Sequence, residues 1–186
     1  PFTLIGATTR FGDLSAPLRD RFGVVFRLNY YTYTDLQTIC KRTSAVYGNP
    51  IDEDAVMSLS RRSRGTPRIV NRLFRRVRDF ADIMNDGHIT EAITNDALLK
   101  LGIDAHGLDQ TDYRYLEAII DRYQGGPAGL DAIATQIAEE VTTVEDVYEP
   151  FLLQEGYIKR TPRGRVATQK AYDILGRPYY DGFLNK

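Results

Sequence analysis

Cysteine is almost missing from these 186 residues: Cys40 stands alone, tryptophan does not occur, and methionine occurs twice. One thiol excludes an internal disulfide and any multi-cysteine zinc site, and it fits a reducing compartment. Long apolar runs are missing too, and none approaches the roughly 20 residues a membrane span requires. No phosphate loop of the form G-x-x-x-x-G-K-[ST] occurs. Neither His88 nor His106 has a Cys, His or carboxylate pair at ligand spacing, and Asp52-Glu-Asp54 does not follow the buried run of a metal-holding strand end. No metal site and no self-contained catalytic centre are therefore expected. Net charge is also near zero, at −1. That argues against attraction of nucleic acid by the molecule as a whole.

What is present is globular: 42% hydrophobic and 26% charged residues. Such a composition excludes disordered, collagen-like and membrane classes. The run from Pro1 begins without Met, signal or transit segment. It reads as a piece of a longer protein. Charge is uneven along the chain. Residues 1–30 and 31–102 each carry +2, and residues 103–186 carry −5. Inside that acidic third, Lys159, Arg160, Arg163 and Arg165 crowd into seven residues, a local basic point on an acidic body.

The patterning divides at the same joints. Residues 2–9 and 24–28 read as buried strands joined by a short helical segment, the tail of a parallel α/β sheet. Residues 31–102 read as four short helices. Thr34-x-x-Gln37 forms a capping box for the first, which ends at Gly48. Asp52 caps the second, to Gly65. Thr66 caps the third, with Pro67 at its first position, and Thr90 caps the fourth. Residues 103–186 read as three helices and a hairpin. Asp109 opens the first helix, residues 131–140 form the second, and a Thr142-x-x-Glu145 box starts the third. Thr161-Pro-Arg-Gly164 makes the hairpin turn. Three helices followed by a hairpin is a winged helix.

The residues able to carry chemistry are arginines at special places. Arg68 stands at the second position of a helix, where a cation opposes the dipole unless an anion answers it. Arg72, Arg75, Arg76 and Arg78 share that helix opposite an apolar face of Val70, Leu73, Phe74, Val77 and Met84. Asp79 and Asp82 make part of this stripe a salt-bridged exposed face. Arg19 and Arg21 lie on a loop between two strands, where an ordinary surface role remains open alongside a phosphate contact. Cys40, mid-helix, reads as a small core residue.

Several motifs in order resemble the RuvB family of AAA+ ATPases, bacterial Holliday-junction branch-migration motors. They are Leu4-Ile-Gly-Ala-Thr-Thr-Arg10, Pro17-Leu-Arg-Asp-Arg-Phe-Gly23, Gly65-Thr-Pro-Arg68, Arg75-Arg-Val-Arg-Asp-Phe80, Gly125-Gly-Pro127 and Arg160-Thr-Pro-Arg-Gly-Arg165. The resemblance runs over residues 1–176. It implies a mainly α fold with minor β: a remnant of the large AAA+ sheet domain at 1–30, a four-helix lid at 31–102, and a winged-helix head at 103–186. It implies sensor 1 at Thr9, with Thr8 the less favoured choice, and an arginine finger at Arg21 acting in trans, which Arg19 can assist. Tyr31 would lie near the base and Arg68 would be sensor 2. The cofactor implied is ATP with Mg2+ in the intact protein. The partners implied are double-stranded DNA at Holliday junctions, a homo-hexamer, and RuvA and RuvC, in the bacterial cytoplasm with no membrane contact.

For DNA, residues 142–155 contain Glu145, Asp146, Glu149 and Glu155 and no Lys or Arg. Duplex phosphates repel such a helix, so the expected contact is Arg160, Arg163 and Arg165 on the hairpin, reading backbone and not sequence. The family's phosphate loop, metal-holding acidic strand and RuvA-docking hairpin have no counterpart in these residues, so they are expected to be inactive alone. Two other readings compete. A non-enzymatic winged-helix regulator is disfavoured by the acidic helix and by Arg68, which it would not need. A clamp-loader-like AAA+ subunit is disfavoured by the basic hairpin.

Overall fold

The structure, a computed structural model, describes residues 1–179. Residues 180–186, the end of the expected head domain, lie outside the described residues. The chain forms two compact units, residues 1–30 and the chain from Tyr31 onward.

The first unit departs from the sheet expectation. It contains a 3-10 turn, Phe11–Asp13, and a short helix α1, Ala16–Arg19. Residues 2–9 and 24–28 belong to no strand. Phe2, Ile5, Phe26 and Leu28 are exposed rather than buried. The reason is hydrogen bonding: a strand exists only through its ladder, and two apolar segments alone cannot supply a sheet that is buried on both faces. Residues 2–9 still approach the end of the intervening helical segment, since a Cβ on Gly6 would meet the Phe22 ring at 3.6 Å.

The second unit begins with four helices: α2 (Tyr33–Tyr47), α3 (Glu53–Arg61), α4 (Pro67–Met84) and α5 (Glu91–Lys100). Their shared core includes Leu36, Leu59, Leu73, Phe74, Val77 and Leu98. Each such fully buried side chain contributes about 1.5–3 kcal/mol. Cys40 belongs to this core, and burial pushes its thiol up to about 12. The α2 capping box is Thr32 with Asp35, two residues before the expected pair. Asp35 supplies a charged acceptor at the positive helix end, which Gln37 cannot. Thr90 caps α5 as expected, through the Ile93 N–H. Asp52 precedes α3, but its carboxylate turns to His88 Nε2 at 2.8 Å rather than capping. Helix α3 also stops at Arg61, short of Gly65, because Arg64 (φ 52°) and Gly65 (φ 67°) both take left-handed conformations. Met84, assigned to the apolar face of α4, is exposed.

The head follows. Helix α6 (Gln110–Glu117) opens with a capping box between Asp109 and Asp112 and runs into a π turn, Ala118–Arg122. Helix α7 (Leu130–Ile137) ends at Ala138, whose φ of 55° stops it before the expected residue 140. The third helix starts at Val141, so Thr142 lies inside it and caps nothing, and Glu140 is its N-cap. It comprises α8 (Val141–Thr143), a π turn (Val144–Tyr148) and α9 (Glu149–Gln154). Starting there turns Val144 into the core. Strands β1 (Ile158–Thr161) and β2 (Gly164–Ala167) pair antiparallel, with Arg160 opposite Arg165, and α10 (Gln169–Ile174) follows. This is the only sheet among the described residues. No helix of the described residues is long and apolar enough to cross a membrane.

Candidate functional site

In the first unit, local bonding separates the two threonines and the two arginines. The Thr8 hydroxyl accepts the Arg10 N–H at 3.0 Å, whereas Thr9 is exposed with no side-chain hydrogen bond among the described residues. Arg19 is half-buried, its guanidinium 5.8 Å from the centre of the Phe11 ring. Arg21 is exposed and makes no ion pair among the described residues. Among the described residues Thr9 is thus the threonine without a side-chain hydrogen bond, and Arg21 is the more exposed of two arginines that both lack an ion pair.

In the second unit, the chain reversal at Arg64 and Gly65 delivers Pro67 to the first position of α4 and Arg68 to the second. Proline suits that position because its missing N–H would be unbonded anyway. Arg68 is exposed and has no ion-pair partner among the described residues. The Tyr31 N–H donates to the Gly65 carbonyl at 2.9 Å, which fixes Tyr31 to the same turn that launches Arg68. Its side chain is about half exposed. The stripe further along α4 is partly salt-bridged: Arg78 lies 2.7 Å from Asp79 and 3.7 Å from Asp82.

The hairpin arginines are not equivalent. The Glu149 carboxylate, fully buried, accepts from Arg160 Nε at 3.1 Å, Arg165 Nη2 at 3.1 Å and the Tyr115 hydroxyl at 2.8 Å. Arg160 Nη2 and Arg165 Nε also bond it closely. Burial pushes the Glu149 carboxyl up, but hydrogen bonds from Arg165, Arg160 and Tyr115 outweigh it and hold the group below its ordinary value. Arg165 is only 17% exposed and Arg160 about half. Lys159 and Arg163 are exposed and make no ion pair among the described residues. Hence Glu149, read from sequence as repelling phosphate, is an internal counter-ion. The signal lay in the hairpin register: the turn sets Arg160 opposite Arg165, and like charges across a ladder demand a carboxylate between them.

The Gly125-Gly126-Pro127 segment braces this hairpin. Ala128 and Arg165 exchange two backbone hydrogen bonds, at 2.9 and 2.8 Å, and the Ala167 N–H donates to the Gly125 carbonyl. A Cβ on Gly126 would stand 2.3 Å from the Arg165 carbonyl oxygen, so only glycine permits this approach.

Three family models match in chain order. Residues 1–28 match the Holliday junction DNA helicase RuvB P-loop domain, 31–104 the RuvB AAA lid domain, and 105–176 the RuvB C-terminal winged helix domain. The chain belongs to the RuvB family. A relative from Acholeplasma laidlawii, the Holliday junction branch migration complex subunit RuvB, is 67% identical over 185 residues, 100% of this chain and 55% of its own length. The protein of that name from Enterococcus faecalis is 52% identical over 185 residues, again 100% of this chain and 55% of its own. The solved Thermotoga maritima RuvB Holliday junction branch migration motor superposes with a TM-score of 0.92 at 46% identity, covering 97% of this chain and 60% of that one. The chain spans about half the length of the curated RuvB relatives it matches. The mainly helical class read from the sequence, with its lid and winged helix, is borne out by these matches.

Of the basic residues singled out from the sequence, those without an ion pair among the described residues and placed beside the matched motifs fall at three places. They are Arg21 after α1, Arg68 at the start of α4, and Lys159 with Arg163 at the hairpin. Each can receive an oxyanion. Among the described residues, no cluster of three His, Cys, Asp or Glu could hold a metal ion.

Proposed function

We propose that this chain is the nucleotide-sensing and DNA-gripping portion of an ATP-driven motor that migrates Holliday junctions. Arg68 carries the reading. It is an exposed guanidinium without an ion-pair partner among the described residues, at the second position of the 18-residue helix Pro67–Met84. Left alone, such a cation costs roughly 0.3–1 kcal/mol against the helix dipole. Opposite a phosphate, the free helix N–H groups and the guanidinium act as one receptor.

In this reading Arg68 is sensor 2 and contacts phosphates held by its own subunit, while Tyr31 packs near the base. Thr9 is sensor 1 and orients the γ-phosphate or the attacking water through its hydroxyl. Arg21 reaches into the adjacent subunit's site and neutralises charge developing on the transferred phosphoryl group. Such a finger is worth on the order of 10³–10⁵ in rate. ATP supplies the phosphoryl group. The part this chain plays toward it is cationic, through Arg21 and Arg68. Lys159 and Arg163 take duplex phosphates, with Arg160 and Arg165 setting the hairpin and Arg160 lending its exposed edge. Contacts of this kind carry no sequence information, as translocation requires. The working assembly is a homo-hexamer with RuvA and RuvC on the junction, in the bacterial cytoplasm. Residues 1–186 by themselves do not hydrolyse ATP, since no phosphate loop occurs among them.

The test uses the full-length protein. Subunits carrying Arg21→Ala are mixed with subunits defective in the phosphate loop. Partial recovery of ATPase activity is expected, because each hexamer then contains intact composite sites. No recovery removes the trans role of Arg21. An unaltered protein without junction-stimulated ATPase removes the motor reading itself.

A further inference from the structure

Arg64 is the least expected residue of the lid. It takes a left-handed backbone conformation, φ 52°, which non-glycine residues rarely adopt. Its side chain is only 13% exposed, yet it turns away from the helical core of the lid and enters the head. There Nη2 donates to Asp112 at 2.5 Å, to Asp109 at 3.1 Å and to the Gly107 carbonyl at 3.0 Å, while Nε donates to the same carbonyl at 3.2 Å. The guanidinium plane also lies over Phe151, 4.5 Å from the ring centre. Only arginine combines planar stacking with several fixed N–H vectors, so lysine could not fill this position equally.

These partners are not arbitrary. Asp109 and Asp112 form the capping box of α6, the first helix of the head. Phe151 lies on α9, two residues beyond Glu149, whose carboxylate holds Arg160 and Arg165 of the hairpin. On the other side, Arg64 is four residues before Arg68. The intervening Gly65-Thr66-Pro67 is stiff: Gly65 is buried and bonded to Tyr31, and Pro67 starts the helix. One continuous set of contacts therefore runs from Arg68 through Arg64, Phe151, α9 and Glu149 to the hairpin. A second, weaker lid–head bond runs from the Tyr33 hydroxyl to Glu155 at 3.2 Å.

We infer that Arg64 is a positioning residue of the motor: by clamping the α6 cap and Phe151 it makes the turn bearing Arg68 and the DNA-gripping hairpin move as one body. The inference rests on the motor reading above. Nucleotide turnover at Arg68 then displaces the hairpin instead of being absorbed at a loose joint. Coupling and folding are separated by measuring them in the same variants.

In the full-length protein, four quantities are compared for the unaltered chain, Arg64→Ala and Arg64→Lys: ATPase without DNA, ATPase with synthetic four-way junction, junction affinity, and ATP consumed per junction migrated. For Arg64→Ala, DNA-free ATPase and junction affinity stay within about twofold, junction stimulation of ATPase falls about fivefold or more, and ATP consumed per junction rises in proportion. Arg64→Lys, which keeps the charge beside Asp112 but gives up the stacking, falls between the two. Unchanged stimulation and coupling in a folded Arg64→Ala protein overturn the inference. A parallel loss of all four quantities overturns it too, as the mark of a merely structural contact. If Arg64→Ala does not fold, Arg64→Lys decides: a twofold to threefold loss of coupling supports the inference, and no loss overturns it. An unaltered protein that shows no junction-stimulated ATPase overturns the motor reading instead.

Discussion

Replacing Glu149 with Gln isolates the electrostatics of the hairpin, since shape and volume are nearly kept while one buried charge is removed. In the native head the carboxylate answers two guanidiniums and the Tyr115 hydroxyl. Glutamine offers one acceptor oxygen in place of two and turns an NH2 toward at least one guanidinium, which can only donate. Arg160, about half exposed, can swing into water and recover most of its hydration. Arg165, 17% exposed and tied through its backbone to Ala128, cannot. Breaking a buried pair by removing one partner costs about 3–5 kcal/mol, and with Arg160 partly released the low end applies, about 3 kcal/mol. For a domain of this size that lowers the melting midpoint by roughly 10–20 °C. Thermal and urea unfolding of Glu149→Gln beside the parent chain measure it. A loss below about 1 kcal/mol would refute the view that Glu149 is the counter-ion of the hairpin. The same carboxylate predicts acid behaviour. Its folded value lies below the unfolded one, so its contribution is fully present above the ordinary carboxylate range and is lost as pH falls through the depressed folded value. The parent chain should therefore lose more stability on acidification below about pH 4.5 than Glu149→Gln does, and equal losses would contradict the assignment.

Three further outcomes are expected. In junction binding by the full-length protein, Lys159→Ala and Arg163→Ala should each lower the magnitude of the log–log salt slope by about 1, whereas Arg165→Ala should act mainly on thermal stability; an equal slope change for all three would place Arg165 on the DNA. Cys40, fully buried with its thiol pushed up to about 12, should resist alkylation in the folded chain and react only on unfolding, so rapid native labelling would contradict its place in the core. Gly164→Ala should destabilise the head by more than about 1 kcal/mol, because its φ of 138° and a Cβ contact of 2.4 Å with the Ala128 carbonyl oxygen both penalise a side chain, and an unchanged melting midpoint would show that the hairpin shifts freely.

Much of the local structure was legible because its causes are local. The apolar spacing Val70-Leu73-Phe74-Val77 dictates a helix with one buried face, Pro67 dictates where it can begin, and Thr161-Pro-Arg-Gly164 dictates a two-residue reversal. The boundaries that failed did so where two local options compete. Thr32-Asp35 outbid Thr34-Gln37 because a carboxylate caps better than an amide, and Thr142 lost its cap when Val144 was drawn into the core. Residues 2–9 and 24–28 carry strand-like composition, but composition supplies no ladder.

By itself, then, the sequence determined the helices of lid and head, the hairpin, the single core thiol, and the order of motifs that identifies the RuvB family. Which arginines are available for chemistry was decided only in three dimensions. Among the described residues Arg21, Arg68 and Arg163 make no ion pair, while Arg64 and Arg165, and in part Arg160, are engaged by carboxylates distant in the chain or across a turn. The physical reason is that a charge's freedom depends on what stands within about 4 Å of it and on how much water reaches it, and neither quantity is a property of neighbouring residues in sequence.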